Sequence, residues 1–277
     1  MQLLNIGCGA HFHPAWTNID RVSSSPEVLA CDITKGLPFP IGCFDVVYHS
    51  HIIEHLSHQD ALILIKECHR VLKVGGTIRV ATPDLESMAR AYLDRLEDAK
   101  QHVPGGKEDH YWMTLELFDQ MVRSFPGGEM GRFLRRPDLM NKSFIISRIG
   151  QEAKQFWEGN DSTVRRSFRH KMSFQKFSSL ARRAWLEILA TFVFLGAGKS
   201  VRNAFHEGVF RSSGEIHRWL YDHVSMEQLL EAAGFISISV KAADESSIPD
   251  FNSYHLDVVN GSVRKPDSLF MEAIKSR

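Results

Sequence analysis

Short apolar runs alternate with amphipathic stretches along the first third of the chain. Residues 3–6, 17–20, 28–31 and 44–49 read as brief strands, the last preceded by the turn "PFPIGC". The period then changes: apolar residues fall at positions 61, 62, 65, 68 and 72, a helical stripe over 59–72 that Gly75-Gly76 is expected to stop. Positions 77–82 ("TIRVAT") return to a strand, and Pro83-Asp84 opens another helix. Strands alternating with helices or short crossovers predict a parallel sheet.

The alternation lapses between about Leu85 and Gly214, where "HYWMTLELFDQMVRSF" and "KFSSLARRAWLEILATFVF" read as long helices. It resumes with a helix over 226–233 ended by Gly234, then strands over 235–241 and 269–274. The plan is an α/β core made of residues 1–84 and 215–277. A helical insertion over 85–214, far longer than an ordinary loop, interrupts it and is expected to bind an acceptor or act as a lid.

With 277 residues the chain can bury one sizeable core, and a formal net charge of zero gives no reason to expect nucleic acid. Cys8, Cys31, Cys43 and Cys68 are widely spaced, without a CxxC pair, and read as free thiols in a reducing compartment. No targeting segment is expected ahead of the first strand. The longest apolar stretch, 184–198, contains Glu187 and is too short to span a bilayer, so a cytoplasmic protein is expected.

The chemistry begins in "LLNIGCGAHFHPAWTNID". Gly7 and Gly9 follow the first strand, where the lack of a Cβ lets backbone approach a ligand closely. The third glycine of a dinucleotide fingerprint is missing, since Phe12 stands there. Asp20 ends the second strand, where a carboxylate can accept both hydroxyls of a ribose, and Asp32 ends the third, placed to accept from an adenine amino group. Barely a turn of helix fits between Gly9 and Asp20, so no long helix is aimed at a phosphate. The expected ligand is an adenosine with a non-phosphate 5′ group.

The ordered segments "LLNIGCGA", "NID", "CDITKGLPFPIGCFDVVYHSHIIEHL" and "ECHRVLKVGGTIRVATPD" resemble the motifs of class I S-adenosylmethionine-dependent methyltransferases, most closely the type-11 group. "HRWLYDHVSMEQLLEAAGF" and the final strand extend the likeness. The resemblance implies a Rossmann-like seven-stranded sheet and S-adenosyl-L-methionine held by Asn5, Gly7, Cys8, Gly9, Asp20, Asp32, Ile33, His49 and Ser50. Asn5 departs from the pattern, for the family usually has an acid there to take the methionine ammonium, and an amide accepts more weakly. An O-methyltransferase acting on a sugar-like acceptor or a small secondary metabolite is expected. The alternatives are N-methylation of a small molecule or peptide and a cofactor-binding scaffold without catalysis.

Two histidines are candidate bases. His217 stands near Trp219, Tyr221 and Asp222 ahead of a helix, in a segment the family brings over the site mouth; His51 is the second candidate. If a helix starts near His51, then His51, His55 and His58 share a face beside Glu54 at a spacing that can ligate zinc. A Glu-His pair is routine there in the resembled family, and no metal is expected. Residues 164–211 carry ten Lys or Arg against Glu187 and Glu207, interleaved with Phe and Trp. The segment suits packing on the core, a dimer surface, a lid over an acidic or lipid-linked acceptor, or peripheral contact with an anionic membrane. Its apolar spacing reads as buried, which speaks against nucleic acid. Tyr111, Trp112, Asp119, Gln120 and Arg123 could line a sugar-sized pocket. The oligomeric state is left open.

Overall fold

A computed structural model describes residues 1–23, 25–158 and 174–276. Seven strands form one sheet: β1 (Leu3–Ile6), β2 (Thr17–Asp20), β3 (Val28–Ala30), β4 (Phe44–Ser50), β5 (Leu72–Pro83), β6 (Phe235–Lys241) and β9 (Ser268–Lys275). A two-stranded hairpin, β7 (Val258–Val259) and β8 (Ser262–Val263), precedes β9. The sheet order is β3-β2-β1-β4-β5-β9-β6, parallel except that β9 runs antiparallel to both neighbours. The order reverses between β1 and β4, and such a switch point opens a crevice at the carboxyl ends of the strands. The α/β core expected from periodicity and the seven-stranded Rossmann-like sheet implied by the resemblance are both present, although β9 breaks the expected parallel order.

Helix α1 (His58–Val71) buries Ala61, Leu64, Ile65, Cys68 and Val71 on one face of the sheet; Ala61, Ile65 and Cys68 belong to the expected stripe, whereas Leu62 is half-buried and Leu72 already lies in β5. Ser57 caps it, its hydroxyl accepting from the Asp60 N–H at 3.1 Å. The helix therefore starts after His51 and His55 rather than before them, and those residues lie on an irregular stretch around a 3-10 turn at Ile53–His55. Gly75-Gly76 does not stop the helix either. Val71 ends it, β5 begins at once with Leu72 paired to Phe44, and the glycines occupy a shift in the β4–β5 register.

No helix connects β1 to β2. Trp16 covers part of that face, buried with Leu3, Val46, Tyr48, Ile248, Phe251 and Leu256. The returning chain is tied down by Arg79, which lies fully buried on β5. Its guanidinium donates to Asp257 and Glu272, each at 2.8 Å, and to the Ala242, Ala243 and Glu245 carbonyls.

After β5 come α2 (Leu85–Lys100), α3 (Gly106–Val122), α4 (Gly128–Leu134), α5 (Lys142–Ile149), α6 (Gln151–Glu158) and α7 (Phe174–Arg211); α8 (His223–Ala232) leads back to β6. Helices α2 to α6 enclose a separate apolar core around Trp112, Met113, Phe133, Ile145 and Leu220. α7 behaves differently. Its described residues Trp185, Ile188, Leu189, Phe192 and Leu195 share one face, and all are exposed, where burial was expected. The helix is broken at Gly198, whose φ is +82°. Arg165, Arg166, Arg169, Lys171 and Phe168 lie outside the described residues. Among the described residues, no helix is long and apolar enough to cross a membrane.

Candidate active site

Three adjoining cavities line the crevice at the carboxyl ends of β1, β2 and β4. The first, about 370 Å³, is bordered by Gly7, Asp20, Asp32, Ile33, Ile52 and Arg218. Gly7 turns the chain out of β1 with φ +64°, in the left-handed region that favours glycine. Asp20 sits where the second strand ends, one carboxylate oxygen accepting from the Gly9 N–H at 2.8 Å and the other from the Val22 N–H at 3.2 Å. Asp32 spends one oxygen on Thr34, through both its N–H and its hydroxyl, and these bonds hold the carboxyl below its ordinary range. The two acids expected to take a ribose and an adenine thus share one cavity with Gly7 and Ile33.

The second cavity, about 230 Å³, also touches Gly7 and is lined by Asn5, Cys8, Gly9, Ser50 and His51. Asn5 donates to the Asn18 side-chain oxygen at 3.1 Å. Burial and the Asp20 carboxylate push the Cys8 thiol up to about 11, so it stays protonated at neutral pH. His49 is the expected residue whose ring is not in these cavities. Its imidazole is wholly buried, neither ring nitrogen has a hydrogen-bond partner, and burial lowers it to about 4.

The second cavity's far wall could not be read from the first strands. Glu152 and Gln155 of α6 and Arg264 and Lys265 beyond β8 complete it. Lys265 lies 2.5 Å from Glu152. Burial works to raise the Glu152 carboxyl, but the Lys265 ammonium outweighs it and holds the group ionised. The only sequence hint was "VRKPDS", a polar cluster just before an apolar strand.

The third cavity, about 370 Å³, lies between sheet and helices, and shares His51, Glu152 and Lys265 with the second. Glu54, His55, Gln120, Arg123, His217 and Asp267 also line it. Of the five residues expected in a sugar pocket, Gln120 and Arg123 are here. Trp112 is buried in the helical core, Tyr111 is exposed, and Asp119 pairs with Arg123 at 2.8 Å.

Both candidate bases reach this cavity, by different routes. His51 has φ +56°, an uncommon conformation for a residue with a Cβ, held by its N–H donating to the Ala81 carbonyl at 2.9 Å. Its Nδ1 lies 3.2 Å from Glu54 Oε1 and its Nε2 2.8 Å from Ser268 Oγ. A carboxylate can only accept, so the proton belongs on Nδ1 and Nε2 carries the lone pair. His217 is buried; desolvation lowers it to about 3, against the pull of Glu54, so its ring is neutral. The His55 and His217 rings meet edge to face with centroids 4.8 Å apart. His58, expected on their face, instead packs against Trp219.

Residues 9–80 match the family model of a methyltransferase domain. No curated protein matches the chain. Among solved structures, one from Thermotoga maritima, described as an S-adenosylmethionine-dependent methyltransferase and possible histamine N-methyltransferase, is 14% identical. It covers 99% of this chain and 82% of its own, with a TM-score of 0.39. An S-adenosylmethionine-dependent methyltransferase from Archaeoglobus fulgidus is 11% identical over 99% of this chain and 86% of its own, with a TM-score of 0.38. The carbon methyltransferase CurJ is 8% identical over 100% of this chain and 49% of its own, with a TM-score of 0.40.

Proposed function

We propose that the chain is an S-adenosylmethionine-dependent methyltransferase, a reading supported by the methyltransferase-domain match over residues 9–80, and that it methylates a hydroxyl of a small polar acceptor, such as a sugar or a small secondary metabolite, held in the third cavity. The observation that carries this reading is that His51 borders both that cavity and the one beside Asn5 and Gly9. In this reading residues 85–214 form the acceptor-binding part and residues 1–84 with 215–277 the cofactor-binding part.

The donor set of the first two cavities fits the cofactor. Asp20 and Asp32 would take the nucleoside, with Gly7 and Ile33 beside it. Cys8, Gly9, Ser50 and the backbone at His49 would border the amino-acid end. Glu152 supplies the negative charge that Asn5 does not, close enough to Lys265 for one pair of charges to meet an ammonium and a carboxylate. When bound, S-adenosylmethionine supplies a methyl on a positively charged sulfur. A carbon–oxygen bond then forms as the carbon–sulfur bond breaks, the electron pair stays on sulfur, and the hydroxyl proton has to leave. His51 Nε2 is the group placed to take it, and Glu54 steadies the resulting cation through Nδ1.

A second reading has specific support: Glu54, Glu152 and Asp267 would also suit a cationic amine, hence N-methylation. A peripheral lipid surface or lipid-linked acceptor belongs to the proposal through the exposed apolar face of α7. So does a cytoplasmic setting, supported by four free thiols. Transfer of a labelled methyl to hydroxylated acceptors, with amines as the competing panel, tests the reading. We expect His51→Ala to lower kcat by about 10²-fold with unchanged cofactor affinity. Cofactor binding without transfer to any acceptor would leave the scaffold alternative, and full activity in His51→Ala would remove the base assignment.

A further inference from the structure

Glu54 is a wholly buried carboxylate in a ring of imidazoles: His51 Nδ1 faces its Oε1 at 3.2 Å and the Thr82 hydroxyl donates to its Oε2 at 3.4 Å, which leaves a lone pair on each oxygen. A buried charge left with a free lone pair is costly unless something completes it. Single ligand atoms of Glu54, His55 and His217 all lie within 4.8 Å of one another, at the wall of the third cavity. The geometry points to a divalent transition-metal site, of the zinc class, ligated by Glu54, His55 and His217.

Three features support this beyond proximity. His55 Nδ1 lies 3.0 Å from the Ile216 carbonyl. A carbonyl can only accept, so Nδ1 holds the proton and Nε2, 4.0 Å from Glu54 Oε1, presents a lone pair. The two segments that carry the ligands are also locked together by main chain. The Arg218 and Trp219 N–H groups both donate to the Glu54 carbonyl, at 2.7 and 3.2 Å, and the His217 N–H donates to the Gln120 carbonyl at 2.9 Å. Finally, the donor set is one carboxylate and two imidazoles, the borderline-soft set that suits zinc and its neighbours rather than magnesium or calcium.

Zinc–ligand bonds of about 2.0–2.2 Å put ligand atoms roughly 3.3 Å apart, so the three side chains must draw in by about an ångström or more on binding. Three protein ligands leave a position open, and here it faces the acceptor cavity. An oxygen of the acceptor would complete the coordination there, beside His51. This last role rests on the proposed hydroxyl methylation; the metal site itself does not.

The full chain, stripped with a chelator and dialysed, is titrated with Zn²⁺ by calorimetry, and with Co²⁺ for its visible absorption. One equivalent is expected, with intense cobalt bands of a site of low coordination number. His55→Ala and His217→Ala are each expected to weaken binding at least 100-fold, whereas His58→Ala, outside the cluster, leaves it unchanged. Thermal unfolding and S-adenosylmethionine affinity, measured on every variant, show whether it is folded. Should a folded His217→Ala or His55→Ala bind metal as tightly as the parent, or should the parent bind less than a fifth of an equivalent, the site is overturned. Because none of these readouts requires methyl transfer, a chain that binds metal yet methylates nothing keeps the site and loses the proposed activity. A chain that methylates without binding metal does the reverse.

Discussion

At the scale of single residues, the methionine end of the proposed cofactor site turns on an exchange between Asn5 and Glu152. A strand-end amide in place of an acid leaves an ammonium with a weaker acceptor, and an acid arriving from α6 restores the charge. Glu152→Gln is therefore expected to weaken S-adenosylmethionine binding by about tenfold, in line with one charged hydrogen bond, while Asn5→Asp in that background recovers part of it. Calorimetry on the two variants decides the point, and an unchanged affinity in Glu152→Gln would remove the residue from the site. Asp20, Asp32 and the glycines were legible because strand-end position alone fixes their neighbours. Glu152, Arg264 and Lys265 were not, because tertiary packing of distant segments brings them to the same cavity. His217 was legible as a candidate, but its partners Glu54 and His55 were read as helical neighbours of His58. The strained backbone at His51 and the cap at Ser57 move the helix start past them.

At the scale of elements, the apolar pattern located α1 because it buries one regular face, and the central strands because they are short apolar runs buried on both faces of the sheet. It misjudged α7 for the same reason: a stripe at helical spacing shows which residues share a face, not what covers that face. Among the described residues of α7, Trp185, Phe192 and Leu195 are 60%, 68% and 75% exposed. The helix carries Lys176, Arg182, Arg183, Lys199, Arg202 and Arg211 against Glu187 and Glu207, a net charge of +4 in a chain whose total is zero. Apolar surface joined to positive charge suits an anionic lipid surface. The full chain is expected to sediment with vesicles containing phosphatidylglycerol and not with phosphatidylcholine alone, with the binding weakening as salt rises. Phe192→Glu with Leu195→Glu should abolish that sedimentation and leave S-adenosylmethionine affinity intact. Equal sedimentation of parent and double variant would rule out this face as the contact.

At the scale of the whole molecule, the absence of a helix between β1 and β2 is compensated by distant chain. The segment that carries Ile248, Phe251 and Leu256 covers that face, and it stays in place because Arg79 draws Asp257 and Glu272 inward from either side of it. A buried arginine with every donor used is stable only as a complete set, so removing one partner strands the others. Arg79→Met should destabilise the fold by about 3 kcal/mol or more, as the Asp257 and Glu272 carboxylates would then be buried without their counter-charge. The pH dependence follows from Glu272. Burial works to raise its carboxyl, but the Ser246 hydroxyl, the Ser247 N–H and Arg79 together hold it below its ordinary value. The unfolded chain therefore binds the proton more readily than the folded one. The stabilisation is fully present above the unfolded carboxylate range near pH 4.5, and is lost as pH falls through the lower folded value. Urea unfolding at a series of pH values should show stability falling steeply below about pH 4.5, and a shallower acid slope in Glu272→Gln, which no longer titrates. An acid slope unchanged by that substitution would mean that other carboxylates govern the acid limit of this fold.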